Sequence, residues 1–237
     1  MPITLKANGN IWILHWRLEI GGINMKYNNK VLSAQELEEF NKKADDTINN
    51  YSNSIDGIHA LIEECQESRN QEFKTIMQTQ MEVSIFINYS FADCVLLTNL
   101  FVNASDNYEK SFLSGKLKVH LNESFKQLYG FTDNAHKKSY CSKLQNIINI
   151  LPEFKAEYES ILNDLENVSK QDNWWKDIRD AEVHIDIFKL YESRHKKINE
   201  NEVVIETLKL IDLFNKFNNF MSRMNKRFIE SLYSKQF

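Results

Sequence analysis

The chain has 237 residues, a formal charge of −4 and a pI near 5.9, which argues against a protein that coats nucleic acid through bulk positive charge. Six glycines and two prolines leave out the breakers that punctuate multi-strand folds, so the composition predicts long helices with few turns, gathered in one main unit. The cysteines Cys65, Cys94 and Cys141 lack the spacing of a zinc or redox motif, no apolar run approaches the roughly 20 residues of a bilayer span, and no signal peptide is legible; a soluble, reduced, cytoplasmic protein with no membrane partner is expected.

Residues 1–32 differ in texture from the rest. Asn8-Gly9 and Gly21-Gly22 flank the β-prone run Ile11-Trp12-Ile13-Leu14-His15-Trp16, which fits either a short β-hairpin turning at Asn-Gly or an irregular extension. An alternative expectation is that Met25 is the physiological start. From Ser33 the pattern becomes helical and stays so to residue 237. Ser33 with Glu36 forms a capping box, and Leu37, Phe40, Ala44, Ile48, Tyr51, Ile55, Ile58 and Ile62 then recur at steps of three and four. A second helix over 72–103 becomes apolar on several faces, which predicts a central position. Further helices are expected over 106–129, 134–150, 153–169, 172–193 and 200–234, with Pro152 in a first turn and Asp172 as an N-cap. The expected fold is all-α: one bundle of six or seven helices over 33–237, behind the short extension.

The chemistry is concentrated in Trp174-Trp175-Lys176-Asp177-Ile178-Arg179-Asp180-Ala181-Glu182-Val183-His184. Arginine, an acid directly after it and a histidine five positions on share one predicted helix. This pattern resembles the signature of the HEPN superfamily, all-helical proteins of which many are metal-independent ribonucleases. The resemblance implies a four- or five-helix core over about 80–237, with the first long helices as embellishment. It also implies a homodimer whose motif helices face each other, RNA as substrate, no cofactor or metal, and products ending in 2′,3′-cyclic phosphate and 5′-hydroxyl. A toxin or phage-defence role, with a neutralising antitoxin or regulatory partner, belongs to the same implication. One departure stands out: HEPN toxins paired with a nucleotidyltransferase antitoxin can carry a tyrosine two residues beyond the histidine, and this chain has Asp186.

Helical arithmetic sets Trp174, Ile178, Ala181, Ile185 and Phe188 on one apolar arc, with His184 at its border and Arg179 about 140° away from it. A single helix therefore does not aim both groups at one phosphate without the reach of the arginine. In the catalytic reading His184 is the general acid or base, Arg179 holds the phosphate and the transition-state charge, and Asp180, one turn from His184, orients the ring. Trp175 is free to stack on a base, and Arg194, Lys196 and Lys197 are candidate RNA-backbone contacts. Plainer readings stand beside these. His184 can be a core histidine bonded to Asp180, Arg179 can pair with Glu182 on a solvated face, Trp174-Trp175 can anchor the helix start, and the basic run can serve a helix C-terminus. Arg223, Lys226 and Arg227 form a second basic group with the same two readings. The alternative function is a non-catalytic helical interaction or scaffold module.

Overall fold

The structure, a computed structural model, describes residues 4–7, 10–13, 34–66, 71–170, 183, 187–195 and 198–234. Near the N-terminus Thr4–Ala7 (β1) pairs antiparallel with Asn10–Ile13 (β2), Ala7 opposite Asn10. That register makes Asn8-Gly9 the two-residue connection, the loop length and composition that match strand twist.

The periodic stripe of the first long segment becomes α1, Ala34–Gln66, and buries Ala44, Thr47, Tyr51, Ile55 and Ile58. The side chain of Ser33, its expected cap, lies outside the described residues. α2, Gln71–Asn103, runs antiparallel to α1, with Asn41 and Asn103 exchanging amide hydrogen bonds of 3.2 and 2.8 Å at one end. Its central position follows from its composition, because apolar residues on several faces need several neighbours. Met77, Met81, Val83, Ile87, Phe91, Cys94 and Phe101 are all buried, and α2 touches four other helices. By length and composition its Lys74–Asn103 stretch is long and apolar enough to cross a membrane, which a search for one unbroken apolar run passes over. Helical neighbours cover much of that apolar surface, and its inward side also carries the buried polar groups Gln80, Ser84, Asn88 and Thr98.

α3, Asn107–Leu128, starts at Asp106, whose carboxylate accepts from the Glu109 amide at 2.8 Å while Glu109 accepts from the Ser105 amide at 3.1 Å. These reciprocal caps satisfy donors that the first turn leaves orphaned. The chain leaves α3 through Gly130, at φ 84°, a left-handed conformation natural to glycine. A Cβ there would lie 2.6 Å from the His136 amide nitrogen and 2.7 Å from the Ala135 carbonyl carbon, both backbone. Gly130→Ala is therefore expected to cost more than about 2 kcal/mol, read as a lower urea midpoint with an unchanged slope.

The single helix expected over 134–150 is two. Asp133–His136 (α4) is one turn capped by Thr132, and Tyr140–Ile148 (α5) begins after Ser139. Ser139 has extended backbone angles, and its hydroxyl both accepts from the Ser142 amide at 3.2 Å and donates to the His136 carbonyl at 2.7 Å. A serine that bonds the backbone on both sides ends one helix and starts the next. This split brings the described helices to eight rather than six or seven. After a 3₁₀ turn at Pro152–Phe154 come α6, Lys155–Lys170, then α7, Ile187–His195, and α8, Glu200–Ser234. α8 runs antiparallel to α2, Asn225 meeting Ser84, and antiparallel to α6, Lys216 meeting Asp164. One buried cluster joins α1, α2, α3, α5, α6 and α8.

Candidate functional site

The segment that carries the chemistry is only partly described. Arg179, Asp180, His184, Trp175, Lys196 and Lys197 all lie outside the described residues, and Arg194 is the one expected site residue whose surroundings are visible. Val183 is helical, and the description resumes at α7.

α7 packs on α3. The Arg194 guanidinium lies 5.2 Å from the centre of the Phe112 ring on α3, a distance at which a planar cation is attracted by the ring face. It is half-buried there, so α3 fixes where the arginine is presented. Beside it, the His195 ring stacks on Tyr191 with centroids 4.1 Å apart, and its Nδ1 lies 2.8 Å from the Tyr191 carbonyl oxygen. That carbonyl can only accept, so Nδ1 is the donor in this bond.

Phe188, which helical arithmetic sets on the apolar arc with Trp174 and Ile178, is 83% exposed. Val183, Ile187 and Tyr191, spaced at steps of four, are exposed as well, Ile187 by 72%. Helical arithmetic says which residues share a face; whether another element covers that face is a tertiary matter. Among the described residues these large apolar groups are left largely open, a pattern that marks interaction surfaces on folded proteins.

No family model, curated protein or solved structure matches this chain.

The second basic group lies on α8. Arg223 pairs with Glu157, and Arg227 lies 3.4 Å from Glu153, both acids belonging to the segment that leads into and opens α6. These half-exposed pairs link α8 to α6 and contribute at most about 1 kcal/mol each. Two further histidines bond backbone: His120 Nε2 is 3.0 Å from the Ser90 carbonyl and His136 Nδ1 is 2.8 Å from the Tyr129 carbonyl. Among the described residues no group of three His, Cys, Asp or Glu side chains is gathered as a metal site. Cys94 and Cys141 are free, buried thiols, and burial pushes both of them up in pKa, away from nucleophilic use.

Proposed function

We propose that this chain is a metal-independent endoribonuclease of toxin or phage-defence type that acts as a cytoplasmic homodimer. The observation that carries the reading is the Arg179-Asp180-Ala181-Glu182-Val183-His184 spacing, which sets the histidine five positions after the arginine in a helix-rich chain, supported by the all-α bundle that the described residues form. His184 moves the proton at the 2′-hydroxyl or the leaving oxygen, Asp180 orients its ring, and Arg179 holds the phosphate as charge develops on it. Arg194, Lys196 and Lys197 contact the RNA backbone and Trp175 stacks on a base. The exposed face of Val183, Ile187 and Tyr191 adjoins His184 in sequence. In this reading a second copy covers it, so that arginine and histidine from two chains meet at one phosphate. A neutralising antitoxin or regulatory protein would act on the same surface.

The same exposed face supports a second reading, a non-catalytic module that dimerises or binds a partner protein through α7. Cleavage separates the two. Purified wild type, incubated in EDTA with mixed RNA, is expected to leave 2′,3′-cyclic phosphate and 5′-hydroxyl ends, and the Arg179→Ala/His184→Ala variant is expected to lose this activity by at least about a hundredfold. A folded dimer whose wild type and double variant are equally inert would move the assignment to the interaction module.

A further inference from the structure

The interface between the central helix and the last one contains a row of polar side chains. Gln80, Ser84 and Asn88 stand one turn apart on α2, so they form a single stripe. Asn225 approaches from α8 and donates through Nδ2 to the Ser84 hydroxyl at 3.1 Å, while Asn88 donates to the Ser84 carbonyl at 2.6 Å. The bonding stops there. Gln80 is wholly buried, and among the described residues neither end of its carboxamide has a hydrogen-bond partner; the Asn88 and Asn225 carbonyl oxygens have none there either. Turning the Asn88 amide over would exchange its atoms and still leave one alone.

Native interiors pair nearly all such groups, with protein or with ordered water. The buried apolar residues along the same stretch of these helices include Met77, Met81, Met221 and Met224, thioethers that offer no donor and only a weak acceptor. Their flexible side chains also pack around irregular gaps. What the row presents is one amino group that donates and three carbonyl oxygens that accept. An anion would find a single donor group, and a cation would face the Gln80 amino group. Water, which both donates and accepts, matches the set.

We propose that the α2–α8 interface is an internal water-binding site. One water links Gln80 to Asn225 and another sits on Asn88, about two in all, because Gln80 and Asn88 are roughly 12 Å apart along the helix axis and a single water cannot span them. The site has a consequence for specificity. Sliding α8 by one turn would take Asn225 from Ser84 and from the water it shares with Gln80, so the hydrated amides hold the register of an interface that its apolar residues alone would leave more permissive.

A crystal structure of the full chain that resolves ordered solvent, with water-to-amide NMR cross-peaks in solution, tests this. Solvent density within hydrogen-bonding distance of the Gln80 carboxamide and the Asn88 oxygen is expected, along with cross-peaks from long-lived water to the Gln80 amino protons. Gln80→Met, which keeps the volume, is then expected to lower Tm or leave it unchanged. A Gln80 amide bonded directly to protein atoms with no solvent beside it would overturn the proposal. So would a rise in Tm of about 5 °C in Gln80→Met, the sign of an unpaired dry amide removed.

Discussion

Phe91→Ala is expected to destabilise the protein by about 3–5 kcal/mol, the usual cost of emptying a fully buried aromatic site. Phe91 has no exposed surface and stacks on Tyr51 of α1 with centroids 4.4 Å apart and rings 19° from parallel. Tyr51 in turn receives a long hydrogen bond, 3.5 Å, from Asn218 of α8. One ring therefore sits where α1, α2 and α8 meet, and its loss also removes a stacking contact worth about 1 kcal/mol. Against a typical total of about 5–15 kcal/mol, such a change consumes a large share of the stability. Urea unfolding followed by far-UV circular dichroism reads it as a lower midpoint in a single transition. Tyr89→Ala supplies the contrast: two residues away on the same helix, half-exposed, it should stay within about 0.5 kcal/mol of wild type. If α1 were an appendage that the bundle does not need, Phe91→Ala would give two transitions, with the later one unmoved.

That experiment also bears on how far the residues themselves disclose the fold. The scarcity of glycine and proline and the three-and-four spacing from Leu37 to Ile62 are local properties, and they lead directly to α1 and to an all-helical bundle. Pro152 is equally local, since a proline acts through the first turn alone, and the turn before α6 begins at it. Ser139 was legible in principle but hidden, because the apolar periodicity continues across it and only its backbone geometry declares a new helix. Exposure is harder still. Phe188 on α7 and Tyr89, Leu96 and Leu100 on α2 are apolar residues at helical spacing, and they are exposed. Which stripe a neighbour covers depends on where distant helices pack, and single-helix periodicity has no access to that. The same boundary applies to the candidate site. The spacing of Arg179, Asp180 and His184 is a sequence property, whereas their meeting at one phosphate requires a geometry that spacing does not specify.

Raising the pH is expected to unfold the protein between about pH 9 and pH 11, through four buried acids that the fold keeps neutral. Burial is the main cause for all of them, pushing the Cys94 and Cys141 thiols above their ordinary value of 9.0 and the Tyr51 and Tyr158 hydroxyls above 10.0. Lesser influences differ in sign. The negative charge of Asp93 raises Cys94 further, the Asn218 hydrogen bond lowers Tyr51, and Tyr158, which donates to the Cys141 carbonyl, is raised by its thiol neighbour. Below pH 9 both the folded and unfolded chains hold these protons, and the groups contribute their full stability. Above it the unfolded chain releases them and the folded chain does not, so stability falls as the pH rises. Each group contributes a slope of about 1.4 kcal/mol per pH unit once its unfolded value is passed. Two thiols from pH 9 and two phenols from pH 10 together reach the order of the whole folding free energy by about pH 11. Far-UV circular dichroism and tyrosinate absorbance, recorded on the same samples, check the mechanism. Part of the tyrosinate signal should appear together with the loss of helix, and iodoacetamide should leave Cys94 and Cys141 unmodified until that point. A chain that stays helical to pH 11 while all its tyrosines ionise would show that these hydroxyls are open to water.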